Sequence, residues 1–480
     1  MVIKSDMGIT VKKENDVSEW YSQVCLKSEL ADYGSVKGTM VIRPLGYSIW
    51  QKIQDYFNEN IIKKNNVHNA YFPLFIPESF FKKEAQHDEG FKAEVAWIDP
   101  KITGDGERLA IRPTSETIIY DSFSKWIRSY KDLPMKINQW CNIVRWETEA
   151  TKLFLRSREF LWQEGHCAYE TKEECKKDAI TIINDYEKLC LNLLALPVLK
   201  GKKTEKEKFA GADITYTIEA FMPDGKALQC GTSHELTQGF AKSFDITFLG
   251  KDEKKHYIFQ NSWGISTRLI GAVVMTHSDN KGLVLPPKIV ENKIVIIPII
   301  KSKEVKVEKK AQELKLKLKR FNPILDNRRD YSPGWKYNEW ELKGVPIRIE
   351  IGPKDIAKNQ IVLVRRDSMK KKNVKITNLE KEIEKELDDM QDNLLKKEKN
   401  FLEKSIVKVK NFEDLKKTVK NKKIALVKFC GRESCENEIK EKTQGVTTRC
   451  IPFNSKTSRN EKCIYCKKEA NCEVYFAKNY

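Results

Sequence analysis

The chain has 480 residues, enough for about three domains. Hydrophobic residues make up 40% and charged residues 32%, which excludes a wholly disordered chain. No apolar stretch approaches the roughly 18 residues of a membrane span, and the opening MVIKSDMGITVKKEND has no apolar segment of the kind a secretory leader needs, so a cytoplasmic protein is expected. The formal charge is +19, from 87 Lys and Arg against 68 Asp and Glu. An excess of that size points to a polyanionic partner. Residues 1–290 hold 40 basic and 39 acidic side chains, whereas residues 291–480 hold 47 and 29. The net charge is therefore +1 in the first part and +18 in the second. A Lys-rich codon bias would also make a surface positive, but it should not favour one end.

In chain order, residues 17–60 read as helical, interrupted by an extended stretch at 38–44. After it, Ile49, Ile53, Phe57 and Ile61 recur at a spacing of four. Residues 71–76 read as a buried strand closed by Pro77, 109–113 as a short strand and 115–130 as a helix. Two strands, 136–147 and 157–166, are joined by a polar loop, and 172–194 follows a helical period. Further strands are expected at 213–221, 225–229 and 243–249, with a helical segment at 265–275. Strands in succession with few helices between them predict an antiparallel sheet rather than a βαβ series. Pro286 and Pro287 break the pattern. A strand at 294–300, a basic helix at 309–321 and strand runs at 340–355 and 360–367 then give an α/β second unit. Leu379, Ile383, Leu387, Met390, Leu394 and Phe401 mark one face of a helix over 378–402, read as a structural strut.

The third unit is rich in cysteine. Six of the 12 cysteines are scattered before residue 231, and six crowd the end at Cys430, Cys435, Cys450, Cys463, Cys466 and Cys472. Cys430 with Cys435, and Cys463 with Cys466, form two short-spaced pairs that would each supply two thiolates to a tetrahedral zinc ion. Basic neighbours (Lys428, Arg432, Lys462, Lys467) favour the thiolate. Reduced thiols, or disulfides in an oxidising compartment, are the alternatives, and Cys450 and Cys472 leave the choice of four from six open.

Arginine is the rarer cation here, 17 against 70 lysines. Arg145, Arg156 and Arg158 flank the loop between the two middle strands, and Arg268 follows in SWGISTRLIG. Arg gives a rigid bidentate fork for phosphate, so a strand pair with arginines at its loop is a candidate triphosphate clamp. Plain solvated arginines are the alternative.

The segment Arg145-Trp146-Glu147, a variable loop, then Arg156, Phe160 and Glu164 at spacings of four resembles motif 2 of the class II aminoacyl-tRNA synthetases. SWGISTRLIGAVVMTH is similar to motif 3. GTMVIRP, ending at Pro44, is similar to motif 1, which in that class builds the dimer interface. RPTSET (112–117), REFLWQEGH (158–166), CGTSHELTQGFAKSFDI (230–246), GLVLPP (282–287) and GPKD (352–355) resemble the prolyl-tRNA synthetase family, as does a terminal tyrosine. The arrangement is that of its archaeal/eukaryotic type, because the stretch from Glu164 to Gln229 has no room for the editing insertion of bacterial forms.

The resemblance implies an α+β catalytic domain over 1–285, with an antiparallel sheet and flanking helices. An α/β anticodon-binding domain over 286–395 and a small α/β zinc-containing C-terminal domain over 396–480 would follow. It implies a homodimer that takes proline, ATP with Mg²⁺, and tRNA(Pro), with a structural zinc on Cys430, Cys435, Cys463 and Cys466. Thr114 and Glu116 match the family's contacts to the proline ammonium and Arg145 those to its carboxylate. Trp162, Glu164, His166 and His234 surround the ring, and Phe91 helps close the pocket. Phe160 and Arg268 match the adenine sandwich, Arg145 the α-phosphate contact and Arg156 the γ-phosphate contact. Glu147, Ser157, Gln229, Thr232 and Ser266 match further nucleotide contacts, with Arg145 and Arg268 as the catalytic pair. Glu341, Arg348 and Lys354 match anticodon-reading positions, with Trp335 and Trp340 as neighbours or as core aromatics. Without the motifs, His166 and His234 would read as satisfied core histidines. A sister synthetase for another small amino acid and a non-catalytic tRNA-binding paralogue are the competing functions.

Overall fold

The computed structural model describes residues 8–85, 95–104, 106–147, 150–300, 305–457 and 460–480. The first unit contains α1 (Val17–Lys27), α2 (Pro44–Phe57), α3 (Glu116–Trp126), β1 (Met135–Val144), β2 (Glu159–Tyr169) and α4 (Lys172–Asn192). It continues with β3 (Leu199–Lys202), β4 (Ile214–Phe221), β5 (Lys226–Thr237), β6 (Phe259–Ser266) and α5 (Arg268–His277). Local chemistry sets the helix starts. Asp16 accepts from Ser18 and Glu19 N–H at the head of α1, and Thr171 with Glu174 forms a capping box on α4.

β4, β5, β6, β2 and β1 pair antiparallel in that order, as expected. Short strands at Phe75–Pro77, Trp97–Ile98 and Leu109–Ile111 make a separate three-stranded sheet. One face of the main sheet is filled from α2 and α4. Phe57 packs edge-on to Trp140 at 5.3 Å and lies 5.9 Å from Tyr186 and 6.2 Å from Trp263. Gly165 is needed for this packing, because a Cβ there would lie 2.2 Å from the Trp263 ring.

The second unit contains β7 (Ile294–Pro298), α6 (Val305–Lys317), β8 (Ile324–Leu325), α7 (Pro333–Leu342), β9 (Ile347–Ile351), β10 (Gln360–Arg365) and β11 (Lys371–Lys375). β7 lies parallel to β8 and β9, and the last two strands join antiparallel. Its α/β character is the expected one. Helix α8 (Leu379–Ser405) then runs unbroken through residue 395, where the division between second and third units was expected. Its apolar stripe touches every unit. Leu379, Ile383 and Leu387 join the core of the second unit. Met390 and Leu394 pack with Ala195 and Val284, and Leu402 packs with Leu199, Phe221 and Ile424.

The third unit contains α9 (Phe412–Lys420), β12 (Ile424–Phe429), α10 (Glu433–Lys442), β13 (Val446–Thr448) and β14 (Cys472–Asn479). It is not separate at the level of the sheet. β14 pairs with β12 and β13, and its end lies parallel to β5, with Lys478 opposite Lys226 and Asn479 opposite Ala227. The tyrosine beyond it is seated too, with Tyr480 Oη donating to Asp224 at 2.6 Å.

Several segments differ from the periodicity reading. Residues 71–76 are not a buried strand. Only Phe75–Pro77 pairs, Tyr71 and Phe75 are exposed, and Phe72 is the buried anchor. β5 extends far beyond 229 to Thr237, because its polar residues face a cavity rather than solvent. The segment 265–275 splits between the end of β6 and α5. The segment 243–249 begins as the end of the short helix Gly239–Ser243 and ends as the strand Thr247–Leu249. Residues 340–342 finish α7 before the strand starts at Ile347.

A buried charged triad ties the third unit to the first. Glu219 accepts from Lys203 Nζ at 2.6 Å and from Arg449 Nη2 at 2.7 Å, with all three side chains nearly inaccessible. Burial works to raise the Glu219 carboxyl, but the Arg449 and Lys203 charges outweigh it and hold it below the ordinary carboxylate range. A carboxylate held low contributes stability above its unfolded titration and loses it as the pH falls. Arg449→Met should therefore cost about 3 kcal/mol, because it leaves Glu219 Oε2 buried without its two guanidinium donors while Lys203 holds only Oε1. In thermal unfolding, the gap in midpoint between this variant and the parent should be widest near neutral pH and shrink on acidification. A constant gap would refute the linkage.

Candidate active site

The cross-strand register builds the site. Side chains two apart on β2 share a face, so Trp162, Glu164 and His166 stand in a row. Each begins a ladder across the sheet. His166 lies opposite Ile137 on one side and Ser262 on the other; Ser262 pairs with His234, and His234 with Thr215. Glu164 lies between Gln139 and Gly264, followed by Thr232 and Thr217. Trp162 lies between Cys141 and Ser266. These ladders floor a cavity of about 260 Å³. Thr114, Glu116, Arg145, Trp162, Glu164, His166, Gln229, Thr232 and His234 all line it.

A dense hydrogen-bond network fixes the floor. Glu164 accepts from Gln139 Nε2 at 2.8 Å and from the Ser115 hydroxyl, and its other oxygen meets His166 Nε2 at 3.2 Å. His166 Nδ1 lies 3.2 Å from Tyr120 Oη. Burial pushes the Glu164 carboxyl up, but the hydrogen bond and charge of His166, with the Ser115 and Gln139 donors, outweigh it and bring it down to about 2. Glu164 is thus a fixed negative charge in a nearly dry site. The Thr114 hydroxyl donates to Glu116, which is itself buried. His234 behaves oppositely. Burial first, then the His166 charge, takes its imidazole down to about 3, so it stays neutral. Its Nδ1 lies 3.0 Å from Thr215 Oγ1 and its ring 4.7 Å from Phe209.

Arg145 stands at the rim. Its Nε donates to Pro113 O at 3.1 Å, and its guanidinium lies 5.5 Å from the Trp162 ring and 5.8 Å from Phe160. Burial, then the nearby Arg268 charge, lowers it to about 10, which leaves it cationic at neutral pH. Arg268 starts α5; its Nε donates to Leu155 O at 3.1 Å and one Nη to Gln229 O at 3.3 Å. Its backbone N–H donates to Ser266 Oγ at 3.2 Å. Ser157 Oγ donates to Glu159 O at 2.8 Å, and Phe160 is edge-on to Trp162 at 6.3 Å. Arg158 holds the main chain here. Its Nε donates to Glu147 O at 3.1 Å, and its guanidinium covers Trp146 at 4.4 Å. Phe91 lies outside the described residues.

In the third unit the thiols of Cys430, Cys435, Cys463 and Cys466 lie within 4.8 Å of one another. Two of the separations are 3.6 Å and 3.8 Å. Four sulfurs bound tetrahedrally at about 2.3 Å would sit about 3.8 Å apart, so this donor set fits zinc. Cys450 is buried with Leu199 and Phe221, and Cys472 is buried against Phe429 O. In the second unit Glu341 and Arg348 are buried and joined at 2.7 Å, and Arg348 also reaches Glu350 at 3.0 Å. Lys354 is exposed. Trp340 donates to Asp326 at 2.9 Å, whereas Trp335 stacks on Tyr331 at 3.9 Å.

Sequence reasoning missed Glu207, Phe209, Thr215, Ser262 and Gly264, which also line the cavity. Thr215 and Ser262 carry the same two-residue strand period as the marked residues. Glu207 and Phe209 lie in an irregular segment that gives no periodic signal.

Comparison with known proteins matches residues 96–277 to the tRNA synthetase class II core domain (G, H, P, S and T). Residues 293–386 match the anticodon binding domain, and residues 412–480 match the C-terminal domain of prolyl-tRNA synthetase. The proline–tRNA ligase of Alkaliphilus oremlandii is 50% identical over 470 residues, 97% of each chain. That of Natranaerobius thermophilus is 49% identical, covering 98% of each. The crystal structure of prolyl-tRNA synthetase from Cryptosporidium parvum with L-proline and AMP superposes with a TM-score of 0.94 at 44% identity, over 99% of this chain and 98% of that one.

The chain belongs to the prolyl-tRNA synthetase family.

Its prolyl-tRNA synthetase fold is thus continuous along almost the whole length. A second Cryptosporidium parvum structure, with halofuginone and AMPPNP, gives a TM-score of 0.93 at the same 44% identity. The only helix and strand between β2 and β4 are α4 and the short β3, in keeping with a stretch too short for an editing insertion.

Proposed function

We infer that this chain is a proline–tRNA ligase, which activates proline with ATP and passes the prolyl group to the 3′ end of tRNA(Pro). The observation that carries the reading is the convergence of two buried carboxylates, an aromatic wall and a rim arginine on one small cavity. Proline is a secondary ammonium, a carboxylate and an apolar ring. Glu116 and Thr114 suit the ammonium, Arg145 the carboxylate, and Trp162, His166 and neutral His234 the ring. Glu164 anchors His166 and supplies negative field. Phe91 is proposed to close the pocket. Phe160 and Arg268 would hold adenine, Arg145 the α-phosphate and Arg156 the γ-phosphate, with Glu147, Ser157, Gln229, Thr232 and Ser266 around the nucleotide. Mg²⁺ enters with the ATP substrate.

The chemistry needs no protein nucleophile. The proline carboxylate oxygen attacks the α-phosphorus, the bond to the β-phosphate oxygen breaks, and pyrophosphate leaves. The terminal ribose hydroxyl of the tRNA then attacks the prolyl carbonyl and AMP departs. Arg145 and Arg268 act by position and by neutralising phosphoryl charge, as fixed cations in a partly dry site do. In this reading the +18 half of the chain faces the tRNA. Glu341, Arg348 and Lys354 are proposed at the anticodon, where single-stranded bases are read through their edges.

We take 1–285, 286–395 and 396–480 as the catalytic, anticodon-binding and zinc-binding domains, with α8 shared across the second division. A cytoplasmic location is proposed; no described helix is long and apolar enough to cross a membrane. Tyr33, Val36, Val41 and Tyr47 are exposed apolar side chains around the Gly38–Pro44 segment, and we propose that they meet a second copy.

Exchange of pyrophosphate into ATP should depend on proline in a panel of amino acids. Arg145→Ala should lower it by about 100-fold or more. A preference for another small amino acid would favour a sister enzyme. Metal analysis should find one zinc per chain, lost in Cys430→Ser and Cys463→Ser; a metal-free folded protein would exclude a structural zinc. Light scattering should give twice the chain mass, and Val41→Asp should halve it.

A further inference from the structure

Glu207 and Phe209 line the cavity from the segment 203–213, which joins β3 to β4 and has no regular structure of its own. Its position therefore depends on what holds it. On the cavity side, the Phe209 N–H donates to Thr215 Oγ1 at 2.9 Å, and the Phe209 ring rests on His234. On the other side the holding groups belong to the C-terminal unit. The Thr204 and Thr448 hydroxyls are buried 3.1 Å apart. Thr448 Oγ1 donates to Glu436 Oε2 at 3.1 Å, and the Thr204 hydroxyl reaches the same carboxylate, so the two threonines share one buried acceptor. Lys206 Nζ donates to Asn437 Oδ1, and Lys203 shares Glu219 with Arg449. β3 itself is paired with Ile451 and Pro452.

The turn bearing Glu207 hangs on this anchor. The N–H groups of Glu207 and Lys208 donate to Thr204 O at 3.1 Å and 3.0 Å. Glu436 and Asn437 directly follow Cys435 on α10, so the four-thiol cluster and the segment share one helix.

We infer that Thr448 and Glu436 are positioning residues for the amino-acid site: through Thr204 they hold segment 203–213 so that Glu207 and Phe209 complete the cavity wall. This rests on reading the cavity as the proline site. It gives the C-terminal unit a task inside the amino-acid pocket, some two hundred residues away in sequence.

The test uses the full-length chain. Thr448→Val keeps the shape and strand preference but removes the hydroxyl. In pyrophosphate exchange it should raise the KM for proline about fivefold while kcat and the KM for ATP move less than twofold. Thr448→Ser should restore the proline KM. Hydrogen–deuterium exchange without substrates should quicken in peptides covering 203–213 and not in those covering β1 and β2. Asn437→Ala, at an exposed position that cannot threaten folding, should shift both readouts the same way by about twofold. A parallel rise in both KM values, a proline KM left unchanged, or no rescue by serine would overturn the positioning role. Trp162→Ala serves as the control for the cavity. If it leaves the proline KM unchanged, the pocket assignment fails, and the exchange of 203–213 still decides whether the C-terminal unit holds the segment.

Discussion

The site depends on the register of β2 between β1 and β6. Side chains alternate faces along a strand, so a slip of one residue would turn Trp162, Glu164 and His166 into the packed layer and bring Gln163 and Gly165 into the cavity. The opposite face enforces the register. The Trp263 ring lies where only a glycine at 165 leaves room, and Tyr186 reaches through to Gln163 at 2.7 Å. The catalytic face is specified from behind by aromatic packing that touches no substrate. The strongest constraint on the chemistry is thus an apolar one.

Electrostatics then divides the labour among groups that the same low-polarity environment treats differently. Glu164 stays ionised because donors surround it, whereas His234 stays neutral because burial and a neighbouring imidazole both oppose its charge. A carboxylate that cannot be neutralised and an imidazole that cannot be charged suit a substrate that is itself zwitterionic. Arg145 keeps its proton despite burial beside another guanidinium, which gives it a poorly hydrated charge to offer an anion.

Much of this was legible in the sequence, and for identifiable reasons. The strands β1 and β2, helix α4 and helix α8 announce themselves by period, and the motif residues on β2 and β5 fall at spacings that the pleat converts into one surface. The thiol pairs 430/435 and 463/466 were readable because short loops can close on one ion. What was not legible lies where position is set by distant partners. Glu207 and Phe209 stand on an irregular segment anchored by Thr448 and Glu436. Residues 71–76 imitate a buried strand in sequence because Tyr71 and Phe75 are apolar yet face outwards. The continuity of β14 with β5 could not be seen from a chain whose pairing partners lie some 250 residues apart. Glu341 and Arg348, matched to anticodon-reading positions, are joined to each other in the structure, a pairing that their spacing of seven across a helix end and a strand does not announce.

Helix α8 makes one stripe of apolar residues serve three surfaces in succession: the second unit, then the first, then the junction with the third. Each residue turns an α-helix by about 100°. Adding or removing one residue near Asp388 would leave the first contact in place and rotate the others off their partners. A change of length is therefore borne by the loops on either side of this helix rather than by the helix itself. Within it, only changes close to whole turns preserve the stripe, so α8 acts as the ruler that fixes how far the second unit stands from the cavity.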